Sequence, residues 1–185
     1  MSARLDGTHV LIVTSGAGVE HDELVQPRDR LRERGARVTH AAPKGEAVHT
    51  YRHDLEPAET VRPDAALDAV HPDDVDVLVV PGGTVNADNL RTDDRARELV
   101  GALSAAGKPI AAICHGPWLL VDAEVVRGMT LTSYPSLRTD IVNAGGTWVD
   151  EPVVRSVRDG FALITSRNPG DLPDFIDAIT AEKSG

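Results

Sequence analysis

The residue best suited to covalent chemistry occurs once, because Cys114 is the only cysteine among 185 residues. It follows an apolar stretch, within Ala112-Ile113-Cys114-His115-Gly116-Pro117. Small residues two positions to either side, Ala112 and Gly116, permit a sharp strand-to-helix turn, as in the G-x-S-x-G pattern with Ala at the first glycine. Pro117 suits the first helical turn, where its missing N–H does no harm. The pattern predicts a nucleophile elbow that presents Cys114.

The chemistry expected at this elbow is nucleophilic attack by a thiolate. A helix N-terminus favours negative charge and can lower a thiol pKa from about 8.5 into a range of roughly 3.5 to 7.5. His115 is the next residue and a candidate base or orienting group. The alternative for Cys114 is an ordinary buried cysteine, which is common in protein cores. A lone histidine is also more often structural, so the case for His115 depends on its neighbour.

Two further apolar stretches end in residues that suit the same site. The first covers residues 8–14 and leads to Glu20, and the second ends at Pro81-Gly82-Gly83. Parallel strands end at one edge of a sheet, where the sites of such folds lie. This Pro-Gly-Gly loop could present a backbone N–H as half of an oxyanion hole, although it could also be a simple turn. Glu20 by itself would be an ordinary acid at a helix start.

Alternating apolar stretches and helical patterns indicate an α/β fold. The predicted strands cover residues 8–14, 37–42, 75–80, 109–113, 131–134, 153–157 and 161–165. The predicted helices cover residues 20–34, 92–106, 115–126 and 171–179, and a small hairpin is expected within 44–62. This order favours a mostly parallel sheet covered on both faces. The length suits a single domain over residues 1–185.

Composition narrows the function classes. The net charge is -10, from 29 acidic and 19 basic residues, and a negative field repels phosphate, so we expect no nucleic-acid partner. The apolar runs are too short to span a bilayer, so we expect no membrane partner. One free thiol and an N-terminus unlike a signal peptide indicate a cytoplasmic protein. The histidines show no metal-ligand spacing, so the sequence predicts no metal and no cofactor.

Several motifs together resemble one family over nearly the whole chain. They are Val19-Glu20-His21-Asp22-Glu23-Leu24, Pro81-Gly82-Gly83, Asp88-Asn89-Leu90-Arg91, Ala111-Ala112-Ile113-Cys114-His115-Gly116-Pro117, Thr132-Ser133-Tyr134-Pro135, Asn143-Ala144-Gly145 and Ser166-Arg167-Asn168-Pro169-Gly170-Asp171-Leu172. The chain resembles the PfpI/ThiJ family of intracellular cysteine peptidases and deglycases, within the class I glutamine amidotransferase-like superfamily. The resemblance implies a flavodoxin-like three-layer α/β sandwich.

The resemblance also implies roles for particular residues. Cys114 matches the nucleophile, and Glu20 matches the protonated acid that hydrogen-bonds the thiolate. His115 matches the histidine beside the nucleophile, and the N–H groups of Gly83 and His115 match the oxyanion hole. Asp88 falls where some members place an acidic residue that reaches the active site of a neighbouring subunit. Many members have Glu rather than Asp at this position. We therefore expect a homo-oligomer, a dimer or larger.

Three functions remain open at this level. The first is glyoxalase III- or deglycase-like action on small reactive carbonyls or their protein adducts. The second is intracellular cysteine peptidase or amidase activity, which needs His115 to protonate a leaving amine. The third is a non-enzymatic role, as a redox sensor or a holdase, for which an exposed thiolate suffices. The expected substrate is accordingly a small carbonyl compound or a peptide.

Overall fold

The structure is a computed structural model that describes residues 4–184. Its strands are β1 (His9–Val13), β2 (Ala17–Glu20), β3 (Arg37–Ala42), β4 (Val48–Arg52), β5 (Glu56–Val61), β6 (Ala65–Ala66), β7 (Val77–Val80), β8 (Ile110–Ile113), β9 (Thr130–Leu131), β10 (Thr147–Trp148), β11 (Val153–Arg158) and β12 (Phe161–Ser166). Its α-helices are α1 (His21–Glu33), α2 (Thr84–Arg91), α3 (Asp94–Ala105), α4 (Pro117–Asp122), α5 (Arg138–Asn143) and α6 (Leu172–Ser184).

The central sheet is mostly parallel, as the sequence predicts. Within residues 4–184 it has seven strands in the order β11-β12-β8-β7-β1-β3-β6, and only the β11–β12 pair is antiparallel. Because β1, β7 and β8 are adjacent and parallel, their carboxyl ends meet at one edge. The three stretches that carry the predicted site residues therefore converge.

Each face of this sheet packs against helices. Side chains alternate along a strand, so Leu11 and Leu78 join one apolar cluster while Ile12 and Val79 join the other. The first cluster receives the buried side chains of α2, α3 and α4, and the second receives those of α1 and α6. The result is the expected flavodoxin-like three-layer sandwich.

A second, smaller sheet carries the predicted hairpin. Strands β4 and β5 pair antiparallel, and β2 pairs parallel with β4. The turn between β4 and β5 contains two residues with left-handed backbone, His53 with φ 52° and Asp54 with φ 63°. Two-residue turns of this hand match the twist of the flanking strands, and Asp tolerates them better than most residues.

The structure differs from the predicted elements in several places, among them two helices and one strand. Helix α2 was not predicted, because its eight residues follow two glycines and bury few apolar side chains. Helix α4 ends at Asp122 rather than at residue 126, because Glu124 takes a left-handed conformation with φ 59°. The strand predicted at 131–134 is shortened to β9, a two-residue strand at 130–131. Within the described part of the chain, no helix is long and apolar enough to cross a membrane.

One buried histidine makes the stability of the fold depend on pH. His40 lies on β3 with 1% of its surface exposed, and its Nε2 lies 2.8 Å from the hydroxyl of Thr14. Its Nδ1 has no hydrogen-bond partner among the described residues. Burial lowers the pKa of His40 to about 4, although the nearby Asp64 opposes this effect. The imidazole is therefore neutral in the folded protein at neutral pH.

We predict that His40 makes the fold sensitive to acid. As the pH falls through the ordinary histidine pKa of about 6.5, the unfolded chain takes up a proton that the folded chain refuses until about pH 4. The free energy of unfolding should thus fall by about 3 kcal/mol more in wild type than in His40→Gln between pH 7 and pH 4. Urea unfolding at both pH values measures this, and equal losses in the two proteins would contradict it.

Candidate active site

The predicted elbow is present at the end of β8. Cys114 has φ 61°, a left-handed conformation that turns its side chain out of the sheet. Its N–H donates to the carbonyl of Ser166 at 3.0 Å, and its carbonyl accepts from the N–H of Tyr134 at 2.8 Å. A Cβ at Gly116 would lie 2.5 Å from the carbonyl oxygen of Val80, so this position requires glycine. The small residue expected two places after the cysteine therefore has a steric cause.

The loop after β7 contains Gly82 and Gly83, and it can approach the sulfur closely because neither residue has a side chain. A Cβ at Gly82 would lie 2.7 Å from the Cβ of Cys114. Gly83 has φ 91°, and a Cβ there would lie 2.1 Å from the carbonyl oxygen of Gly18. The backbone N–H groups of Gly83 and His115 lie beside the sulfur and lower the pKa of Cys114. These are the two donors that the family resemblance assigns to an oxyanion hole.

A buried carboxyl group lies beside the sulfur, and it belongs to Glu23. Its side chain interacts with Cys114, and its Oε2 accepts from the N–H of Gly82 at 2.7 Å. Its Oε1 has no hydrogen-bond partner among the described residues. Burial raises the pKa of Glu23 to about 8. Glu23 is therefore mostly protonated at neutral pH, although its interaction with Cys114 lowers its pKa slightly.

The structure thus corrects the expectation that Glu20 contacts the thiol. Glu20 is the last residue of β2, and its carboxylate accepts from the N–H of His53 in the hairpin turn at 2.8 Å. Glu23 lies in the first turn of α1, on the buried face that also carries Pro27 and Leu31. Residues four apart lie on one face of a helix, so the apolar residues Pro27 and Leu31 already indicate in the sequence that Glu23 lies on the buried face of α1. Burial also raises the pKa of Glu20, which lines the same pocket.

His115 lies within reach of the thiol. Its Nδ1 is 3.2 Å from the sulfur of Cys114, and its Nε2 is 3.4 Å from the hydroxyl of Thr84 and 3.3 Å from that of Ser136. Its ring stacks on Tyr134 with centroids 4.6 Å apart. Burial lowers the pKa of His115. The imidazole is therefore neutral at neutral pH and able to accept a proton.

The ionisation of the thiol differs from the sequence expectation. Burial raises the pKa of Cys114, and negative charge on Glu23 raises it further. The N–H groups of Gly83 and His115 act in the opposite direction. The predicted helix effect is limited, because α4 has only six residues. The expectation of an acidic thiol was wrong because it left out desolvation.

These groups line a pocket of about 490 Å³ at the carboxyl edge of the sheet. Its walls are formed by Glu20, His53, Asp54, Gly83, Thr84, Cys114, His115, Tyr134, Asn168, Pro169 and Gly170. Asp88 is absent from this wall, because it lies exposed on α2. A second hollow of about 440 Å³ lies at the opposite edge, lined partly by Arg127 and Arg158, and offers no nucleophile. Among residues 4–184, no cluster of three or more His, Cys, Asp or Glu side chains could hold a metal ion.

Comparisons with known proteins bear on the family and the fold. The model of the DJ-1/PfpI family matches residues 8–182. Deglycase PYRAB04690 of Pyrococcus abyssi is 41% identical over 162 residues, which cover 88% of this chain and 92% of that protein. Putative cysteine protease YraA of Bacillus subtilis is 42% identical over 117 residues, which cover 63% and 66%. The crystal structure of Drosophila melanogaster DJ-1beta aligns with a TM-score of 0.84 and 34% identity, covering 98% and 92%.

We predict that the proton on Glu23 makes the folded protein less stable at alkaline pH. The folded pKa of about 8 lies above the ordinary value of 4.5, so the folded state holds a proton that the unfolded chain releases earlier. Stability should therefore fall, relative to Glu23→Gln, as the pH rises from about 4.5 to about 8. The expected difference is several kcal/mol, on the order of 1.4 kcal/mol per pKa unit. Chemical unfolding at pH 5 and pH 8.5 tests this, and the same pH slope in both proteins would exclude a protonated Glu23.

Proposed function

Because the chain belongs to the DJ-1/PfpI family, we propose that it is a cysteine-dependent enzyme acting on small reactive carbonyls or on their adducts with proteins. This is a deglycase- or glyoxalase III-like activity. The observation that carries the proposal is a thiol at the wall of a small pocket, with a neutral imidazole 3.2 Å away and a buried, protonated carboxyl beside it. The name of the Pyrococcus abyssi relative, a deglycase, supports the same chemistry.

The first step is addition of sulfur to an aldehyde carbon. The thiol is enclosed and its pKa is raised, so its proton has to leave during the attack, and the Nδ1 of His115 lies 3.2 Å away to take it. The carbonyl oxygen gains negative charge as the carbon–sulfur bond forms. The N–H groups of Gly83 and His115 already point into this space and stabilise that charge.

The second step assigns proton movement to Glu23. Moving the hydrogen of the sulfur-bearing carbon to the adjacent carbonyl carbon converts the adduct of a dicarbonyl into a thioester, with no outside oxidant. Water then cleaves the thioester, releases a 2-hydroxy acid and restores the thiol. For a protein adduct, sulfur displaces the amine in the first step and so frees the protein. A carboxyl with a pKa of about 8 both donates and accepts protons near neutral pH.

Peptidase activity is the second candidate. The contact between Cys114 and His115 fits it, and the name of the Bacillus subtilis relative points to it. The pocket is less suited to an extended chain, because only 7% of Cys114 is exposed and the hairpin turn closes one side. A redox-sensing role fits less well still, because oxidation favours an exposed thiolate of low pKa.

We predict that Glu23→Gln loses more activity than Glu20→Gln. The amide at position 23 still accepts from Gly82 but cannot transfer a proton, so turnover should fall on the order of a hundredfold or more. Glu20→Gln keeps its contact with His53 and should change turnover far less. Purified proteins, with Cys114→Ser as the inactive control, are assayed on methylglyoxal, a methylglyoxal-modified thiol and a fluorogenic peptide.

The substrate panel separates the candidate functions. Turnover of the two carbonyl substrates by wild type, lost in Cys114→Ser, supports the proposal. Turnover of the peptide alone would replace it with peptidase activity, and no turnover of any substrate would leave the redox-sensing role. A loss in Glu20→Gln equal to that in Glu23→Gln would return the proton-transfer role to Glu20.

We also propose a homo-oligomer in which Asp88 lies near a contact between subunits. Asp88 is exposed on α2, one turn after Thr84 at the pocket wall, and does not line the pocket of its own chain. Light scattering at micromolar concentration should give at least the mass of a dimer, with lower turnover in Asp88→Ala. A fully active monomer would refute the oligomer, and a silent Asp88→Ala in a dimer would remove Asp88 from the site.

A further inference from the structure

The hairpin turn is fastened to the start of α2 through one carboxylate. Oδ1 of Asp54 accepts from the N–H of Thr84 at 2.8 Å, and Oδ2 accepts from the hydroxyl of Thr84 at 2.7 Å. Thr84 is the first residue of α2 and directly follows Gly83. Both oxygens of Asp54 therefore act on one residue at the wall of the catalytic pocket.

The same threonine hydroxyl also faces the imidazole, and this fixes the direction of the hydrogen bonds. Oγ1 of Thr84 lies 3.4 Å from Nε2 of His115. A hydroxyl has one hydrogen, and here it is donated to Asp54, so toward the imidazole Thr84 can only accept. A hydrogen bond between Thr84 and His115 therefore requires the ring hydrogen on Nε2, and in that form the lone pair of Nδ1 is directed at the sulfur 3.2 Å away.

We propose that Asp54 is a positioning residue for His115 and acts through Thr84, in a relay of Asp54, Thr84, His115 and Cys114 contained within one chain. The proposal rests on the thiol chemistry proposed above. When the thiol proton moves to Nδ1, the imidazole becomes positively charged and its Nε2–H bond to Thr84 strengthens. Asp54 orients the hydroxyl dipole for that bond and keeps its own charge, so no proton moves along the relay.

The relay supplies, within one chain, the acidic group that the family resemblance assigns to a neighbouring subunit. Asp88 is exposed and does not line its own pocket, whereas Asp54 lines it. Ser136 offers a second hydroxyl to Nε2 at 3.3 Å, but the structure shows no carboxylate bonded to it. Asp54 is exposed to solvent, which screens its charge, so its effect should be smaller than that of a proton-transferring group.

The test compares turnover of variants that break the relay at different points. Asp54→Asn and Thr84→Val should each lower kcat on the order of tenfold, below the hundredfold of a group that transfers the proton, with KM changed by less than about twofold. Thr84→Ser restores the hydroxyl and should restore kcat. Asp22→Asn is the matched control, because Asp22 pairs with Arg52 of the same hairpin at 3.6 Å and touches neither Thr84 nor His115. Its kcat should equal that of wild type.

A second readout does not depend on turnover. The ionisable groups near His115 are Cys114 beside it, Tyr134 stacked on it, Glu23 next to the sulfur, and Glu20, His53 and Asp54 in the wall of the same pocket. Because the negative charge of Asp54 raises the pKa of His115, Asp54→Asn should move the NMR titration of this imidazole to lower pH. The nitrogen shifts should report the Nε2–H form in wild type. Signals are assigned with His115→Gln.

The outcomes separate the relay from the proposed function. Unchanged kcat and an unchanged His115 titration in Asp54→Asn would overturn the relay, and so would a kcat that Thr84→Ser fails to restore. A lower kcat in Asp88→Ala with an unchanged kcat in Asp54→Asn would also overturn the relay. It would assign the acidic group that acts on His115 to a neighbouring subunit. If wild type turns over none of the substrates, the proposed function fails, and the NMR titration alone then decides the relay.

Discussion

Cys114 holds a left-handed backbone conformation, which costs a residue other than glycine about 1–2 kcal/mol. It persists because the N–H and C=O of Cys114 are fixed by Ser166 and Tyr134 on two neighbouring segments. It also requires that Gly82 and Gly116 lack side chains, since a Cβ at either would collide with this turn or with β7. The acid, the two N–H donors and the imidazole are all arranged around a sulfur whose position this one turn determines.

The packing that fixes the sulfur also controls its charge. Excluding water raises the pKa of Glu23 and of Cys114 and lowers that of His115. All three groups are therefore held in their neutral forms at neutral pH, inside a chain whose net charge is -10. Such a site has little charge to neutralise before an uncharged carbonyl compound enters. Its first charge separation occurs when sulfur attacks, where the backbone donors are already in place.

The sequence was sufficient for the sheet and for the cysteine. Buried strands appear as apolar runs, and the elbow depends on residue sizes that can be read directly. The choice between Glu20 and Glu23 was harder, because both flank the start of α1 and only the helical register decides which one turns inward. The thiol pKa was misjudged because the helix effect is visible in a sequence while desolvation is not. The hydrogen bonds of Asp54 could not be predicted from the sequence, because they join segments about 30 residues apart.

The two borders of the large sheet have a consequence for how copies of this chain can meet. Strand β6 offers only Ala65–Ala66 as an open border, too short to template another strand. The opposite border, β11, carries Arg155, which pairs with Glu182 of α6, and Arg158 at its end. Charged side chains on a border strand discourage strand-to-strand addition. Continuous sheets running from one molecule into the next are thus disfavoured, which protects a concentrated solution of this protein from fibrous aggregation through its main sheet.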